Sequence, residues 1–203
     1  MLIPFREITR DALRRRYAVG AFNCLSVENV MGAVAAAEEL HSPIILQLAE
    51  VQFPEAPMEL MAPVFLRAAR DAKVPVAVHL DHGRSIETCI RAVREGFTSV
   101  MFDGAELLFE ENAEQTRLVV RLAHAAGVDV EAELGRVGDT GFGGEGTAAA
   151  AAEPIRMAIL PRSTSPGSEK ASESTNSDIV NPMPPRHATA SSMRHVAPSG
   201  IAA

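Results

Sequence analysis

Val74-Pro75-Val76-Ala77-Val78-His79-Leu80-Asp81-His82-Gly83 is the stretch whose reading decides the fold. A β-branched, apolar run leads straight into His, Asp, His and Gly. Such a run reads as a strand buried on both faces, as in a parallel sheet. Ionisable groups at its C-terminal end are costly to bury without partners. In α/β proteins that end of a strand is where ligands bind and chemistry is done.

Working outward, the chain alternates strands and helices. Phe5, Ile8, Leu13 and Tyr17 give Pro4 to Tyr17 an amphipathic helical pattern. Val19 to Asn23 reads as a first strand. Ser26 is placed to cap a helix from Val27 to Leu40, which Ser42-Pro43 ends. Ile44 to Ala49 is a second strand, and a loop with Pro54 and Pro57 leads to a helix over Leu60 to Ala72. Val74 to His79 is the third strand. Ser85 starts a helix ending near Gly96, and Thr98 to Gly104 is the fourth strand. Glu110 to Ala126 is a helix stopped by Gly127, and Val128 to Gly135 is the fifth strand. Regular βα alternation implies right-handed crossovers and a parallel sheet. Asn23, Gln47, Asp81-His82, Asp103 and Glu133 each stand at a strand end. One polar group from each of several strands is the pattern of a TIM-barrel active face. A doubly wound sheet would carry a Gly-rich first turn, and Gly20-Ala21-Phe22 is not one.

Composition narrows the function classes. The chain has 203 residues, enough for one domain with a core, and a net charge of −7, which argues against a nucleic-acid surface. Cys24 and Cys89 lie far apart in no metal or redox spacing, so a reducing compartment is expected, and they read as small apolar residues. No stretch is long and apolar enough for a leader or a membrane span, so a cytoplasmic protein without membrane or nucleic-acid partners is expected. Lys73 and Lys170 are the only lysines. Lys73 precedes the third strand, on the end away from the polar face, and Lys170 is in the tail. Schiff-base chemistry at the strand ends is thereby excluded.

The residues from about Tyr17 to Gly138 resemble the class II, metal-dependent fructose-bisphosphate and tagatose-bisphosphate aldolases. The resemblance rests on His79-Leu80-Asp81-His82-Gly83 and on Glu131-Ala132-Glu133-Leu134-Gly135. Gly96 to Gly104, Phe109-Glu110-Glu111-Asn112 and the opening Gly20-Ala21-Phe22-Asn23 match in kind and order. The resemblance implies a (β/α)8 barrel that reversibly cleaves a phosphorylated ketose, with one or two divalent metal ions, zinc foremost. It implies that His82 binds the catalytic zinc and that Asp81 is the acid/base. It further implies that Asp103 and Glu133 serve a second or alternative metal position, and that the protein assembles as a homodimer or homotetramer. Asn23 either orients substrate or caps the following loop. His79 shares a strand face with Asp81 and either supports it by hydrogen bonding or has a role of its own, and Glu131 is structural. Ala49 stands where many family members carry a substrate-contacting Ser, which leaves the sugar open.

Beyond Gly138 the resemblance stops. Asp139-Thr140-Gly141 does not supply the small residue and Glu that continue the second signature, and nothing later reads as the strands bearing two further zinc histidines. Ala148 to Leu160 reads as one short helix interrupted by Pro154, and Pro161 to Ala203 as a disordered Ser/Pro-rich tail. The expectation is an α/β chain of the TIM (β/α)8-barrel type, truncated after the fifth strand. Residues 1–138 form the N-terminal part of the barrel and 139–203 a tail, arising from a reading-frame shift or a truncated copy. Five strands leave two unpaired sheet edges. The alternative function is an inactive barrel fragment, at most a weak metal-binding or subunit-interaction module.

Overall fold

A computed structural model of the chain describes residues 1–134 and 156–160. Five parallel strands run in chain order: β1 (Gly20–Asn23), β2 (Ile44–Ala49), β3 (Val76–Gly83), β4 (Ser99–Phe102) and β5 (Asp129–Leu134). Each strand pairs with the next, so strand order never reverses and there is no switch point. That separates a barrel wall from a doubly wound sheet. The fold is α/β of the TIM-barrel type.

The helices are α1 (Phe5–Arg15), α2 (Val27–Glu39), α3 (Met58–Asp71), α4 (Ile86–Glu95) and α5 (Phe109–Ala125). Local chemistry sets their limits. Ser26 Oγ accepts the N–H of Asn29 at 3.3 Å, and Ser85 Oγ accepts that of Thr88 at 3.0 Å. Each such cap stabilises its helix by about 1 kcal/mol. Gly96 ends α4 at φ +94°, a left-handed position that suits glycine. Val30, Val34 and Ala37 form the buried stripe of α2 at helical spacing.

The two faces of the sheet divide by residue parity. Ile44, Leu46, Leu48, Val76, Val78, Leu80, Val100, Phe102 and Val130 pack in the main core with the buried sides of the helices. The opposite, inner face carries the odd-numbered residues. In register, Asn23 neighbours Gln47, Gln47 neighbours His79, His79 neighbours Ser99, and Met101 neighbours Glu131. The N-terminal segment closes one end of this inner face. Leu2 bridges to Val76, Phe5 and Ile8 pack on Ile45 and Ala77, and Arg6 pairs with Asp129 at 2.7 Å. Among the described residues, Asp81 and His82 at the C-terminal end of β3 stay partly exposed.

Two expectations are corrected. The third strand does not stop at His79 but continues to Gly83. Residues Arg156–Leu160 are not part of a helix; they form a strand, β6, antiparallel to β5. An unpaired parallel edge presents a row of free backbone donors and acceptors, and an adjacent strand satisfies them as a helix cannot. The edge of β5 is therefore covered, whereas β1 is exposed along its length. Apart from β6, the segment assigned to the tail lies outside the described residues. Among the described residues no helix is long and apolar enough to cross a membrane.

Candidate functional site

A break in register at the end of β3 builds the site. Leu80 pairs with Val100 and Gly83 with Phe102, so Asp81 and His82 both stand opposite the single residue Met101. Two residues against one is a β-bulge, a device concentrated beside active sites. Strict alternation would send His82 toward the helices. Instead it adopts φ +46°, one of three non-glycine residues with positive φ among those described, and its imidazole reaches the inner side. Left-handed backbone at such a residue costs roughly 1–2 kcal/mol and must be held by its surroundings. Gly83 is part of that hold. A Cβ there would lie 2.8 Å from Leu80 Cδ2 and 2.9 Å from the Met101 carbonyl oxygen, so only glycine lets β3 approach β4 so closely.

Around the bulge, neighbouring strands deliver their polar ends. His82 Nδ1 is 2.8 Å from Asp103 Oδ2 and 3.7 Å from Glu133 Oε2, and His82 Nε2 is 3.8 Å from Asp81 Oδ1. The second oxygen of Asp81 accepts from Asn23 Nδ2 at 2.9 Å. Asp103 also accepts the N–H of Ala105 at 3.1 Å, which fixes its carboxylate. Burial opposes charge on His82, but the hydrogen bond to Asp103 and the charges of Asp81, Asp103 and Glu133 outweigh it and hold the imidazole above its ordinary range. His82, Asp103 and Glu133 each offer a ligand atom, all within 4.8 Å of one another. One imidazole and two carboxylates in a half-open, negatively charged cup are a donor set that fits a divalent cation such as zinc.

Below this cup lies a second polar group of different character. His79 is 1 % exposed, with Nδ1 2.8 Å from Ser99 Oγ and Nε2 3.4 Å from Glu131 Oε2. Phe5 stacks on its ring at a centroid distance of 5.0 Å. Desolvation, reinforced by His82, pushes His79 down to about 3. Desolvation, reinforced by Asp81, pushes Glu131 up to about 7. Both shifts favour the neutral forms and His79 stays uncharged, so the contact is not an ion pair. A Ser–His–Glu arrangement sealed in this way has no access to substrate. The possibility that His79 supports Asp81 is corrected: its ring nitrogens face Ser99, its register partner on β4, and Glu131, which reaches over from β5.

The sequence-predicted residues Asn23, Asp81, His82, Asp103 and Glu133 are therefore brought together at one end of the sheet. Asn23 does more than cap a loop, since it grips Asp81. Gln52 was not foreseen. Its Oε1 accepts from Asn23 Nδ2 at 3.3 Å and from the Ala49 N–H at 3.1 Å, tying the loop after β2 to the site. The Asn112 amide donates to the Glu133 carbonyl at 3.2 Å and steadies the end of β5. No spacing signal marks the Gln52–Asn23 or the Asn112–Glu133 contact, because each bridges segments distant in sequence. Lys73 is beside Glu38, ahead of β3 and away from the cup.

Residues 3–166 match the family model described as fructose-bisphosphate aldolase class-II. The fructose-bisphosphate aldolase of Thermus caldophilus is 49 % identical over 137 residues, 68 % of this chain and 45 % of that protein. The sulfofructosephosphate aldolase of Alkalicoccus urumqiensis is 40 % identical over 138 residues, 68 % of this chain and 48 % of that one. Among solved structures, the YdjI aldolase from Escherichia coli K12 superposes with a TM-score of 0.63 at 36 % identity, covering 65 % of this chain and 52 % of the other. The chain thus spans about half the length of the curated relatives it matches.

Proposed function

Because the chain belongs to the class II fructose-bisphosphate aldolase family, we propose that its cup serves reversible, zinc-dependent aldol cleavage of a phosphorylated ketose, fructose or tagatose bisphosphate. The observation that carries this reading is the cluster of His82, Asp103 and Glu133 directly beside Asp81. His82 would hold the catalytic metal, with Asp103 and Glu133 completing the donor set or forming an alternative position. A divalent metal, when bound, supplies Lewis-acid stabilisation of negative charge on substrate oxygens. Asp81 takes the proton from the substrate hydroxyl next to the breaking carbon–carbon bond and returns it in the synthetic direction. Its geometry suits that task. One oxygen is fixed by Asn23, and the other is on the side of His82. Asn23, held in turn by Gln52, orients the base and the substrate bound against it. Schiff-base catalysis has no support, since the lone lysine among the described residues precedes β3.

A second reading follows from the size of the donor set. The described residues bring together a single imidazole with carboxylates, which also suits a metal-binding or subunit-interaction module without turnover. Residues 139–203 would then be a tail outside the barrel part formed by 1–138. Under the first reading the protein works in the cytoplasm as a homodimer or homotetramer.

Cleavage of fructose and tagatose bisphosphates by the full chain separates the two. The aldolase reading expects turnover that a chelator abolishes and zinc restores. Metal binding without turnover on either sugar selects the second reading, and turnover insensitive to chelation overturns the metal assignment.

A further inference from the structure

The bulge at Asp81–His82 needs something to hold it, and part of the hold comes from a residue outside the cup. Glu50 opens the 3-10 turn Glu50–Gln52 that follows β2. It comes directly after Ala49, the register partner of Asp81. Its half-buried carboxylate reaches across to the turn after β3. One oxygen accepts the Arg84 N–H at 2.6 Å, and the other accepts the Thr88 hydroxyl at 3.0 Å. Thr88 is itself tied to Ser85 by the cap of α4, at 3.0 Å from its N–H to Ser85 Oγ. Both oxygens of one carboxylate thus pin the first residues after Gly83, and a charged acceptor makes the stronger class of hydrogen bond.

The consequence is local. His82 adopts a left-handed backbone, and the peptide that must absorb any relaxation is the one leading through Gly83 to Arg84. On the β4 side Gly83 is already fixed, its carbonyl accepting the Asp103 N–H at 2.9 Å. On the other side Arg84 is fixed by Glu50. Between these two anchors His82 has no room to return to the regular alternation that would turn its ring toward the helices. We infer that Glu50 is a positioning residue for His82: by clamping Arg84 and Thr88 it holds the bulge that turns the imidazole into the cup. This rests on the reading of His82 as a metal ligand, and it adds a residue that touches neither metal nor substrate.

The test compares the full-length wild type with Glu50→Ala, Glu50→Gln and, as a control, Glu59→Ala. Glu59 pairs with Arg91 away from the cup, so that control removes one negative charge and one ion pair without touching the bulge. Two measurements are made at matched thermal midpoint and far-UV circular dichroism: Co2+ affinity by absorbance titration, and the ring 15N resonances of His82 and His79 in metal-free protein. Glu50→Ala is expected to weaken Co2+ binding about tenfold or more, in the range found for residues that orient ligands. Glu50→Gln, whose amide oxygen still accepts from Arg84 and whose amide nitrogen can donate to Thr88, is expected to recover most of that loss. Glu59→Ala is expected to leave affinity within about twofold, a change too small for loss of an orienting residue. The His82 resonances should move in Glu50→Ala while those of His79 stay put. Unchanged Co2+ affinity in Glu50→Ala overturns the inference, as does an equal loss in Glu59→Ala. If the wild type binds no Co2+, the metal reading of His82 fails, and the NMR arm decides the positioning role alone. There, unmoved His82 resonances overturn it, and a selective shift upholds it. Should Glu50→Ala not fold, Glu50→Gln is read in its place on the same criteria.

Discussion

Two imidazoles stand three residues apart on β3, and each has an oxygen 2.8 Å from its Nδ1. Their surroundings give them opposite characters. His79 is sealed between Phe5, Ser99 and Glu131, and burial keeps it uncharged and pushes Glu131 toward its neutral form. His82 is half-exposed among three carboxylates and is held above its ordinary range. Water is what separates them. Without it a charge must be given up, whereas with partial access a cluster of carboxylates can stay charged around a cation. The lower group is closed into the fold and the upper group is the one proposed for the chemistry, although both are built from the same residue types on the same strands.

The largest test of that division is turnover. Asp81→Asn keeps an acceptor for Asn23 but removes the proposed base. Wherever wild-type turnover is measurable it should fall by about 10²–10⁴-fold, with zinc content unchanged. His79→Gln, three residues earlier in β3, should leave kcat within a few fold and act on the melting temperature instead. Parallel kcat and zinc determinations check both. Equal losses of turnover in the two variants would erase the distinction between the groups.

How far the division was legible in sequence depends on the range of the interactions involved. Capping serines, apolar runs and helix-stopping glycines are local signals, so β1 to β5 and α1 to α5 fall within a few residues of where Ser26, Ser85, Gly96 and Gly127 place them. Gathering Asn23, Asp81, Asp103 and Glu133 at one end follows from strand direction and odd-number parity, both of which the sequence carries. His82 is different. Alternation alone puts it on the wrong face, and only the motif marked it. The bulge that turns it inward depends on Gly83 fitting against the Met101 carbonyl, a contact with another strand. The partners of His79 were missed for the same reason, being fixed by register with β4 and by the reach of β5. In β6, alanine-rich neighbouring sequence suggested helix, but the free edge of β5 overrode that propensity.

The second test uses pH. Glu131 titrates near 7 in the folded protein, against an ordinary value of 4.5. As pH rises through 4.5 the unfolded chain loses this proton while the folded chain keeps it. Stability therefore falls from about pH 4.5 to 7 and then levels off. His79 has the opposite sense. As pH falls below its ordinary 6.5 the unfolded chain gains a proton that the folded chain refuses until about 3, so stability falls on acidification through that window. In the interval between 4.5 and 6.5 the two slopes oppose each other. Glu131→Gln removes only the first. Relative to wild type it should gain up to about 3 kcal/mol at pH 8 and close to nothing at pH 4. Urea unfolding with a chelator present measures this. An identical difference at both pH values would show that Glu131 is not held protonated by its burial.

The smallest effects come from removing the oxygen partner of each imidazole in turn. Ser99→Ala leaves His79 Nδ1 buried without the hydroxyl 2.8 Å away, and water cannot replace it behind Phe5. The expected cost is about 1–2 kcal/mol of folding free energy, with no change in metal affinity. Asp103→Ala removes an oxygen at the same distance from His82, but that ring is half-exposed and water can take the vacated place. Folding stability should fall by about 1 kcal/mol or less. The loss should appear instead in Co2+ affinity, since a donor of the cluster has been deleted. Chemical denaturation and metal titration on both variants give a two-by-two comparison. If Ser99→Ala weakens metal binding as much as Asp103→Ala does, the closed group supports the open one directly, and the boundary drawn between them at the bulge is misplaced.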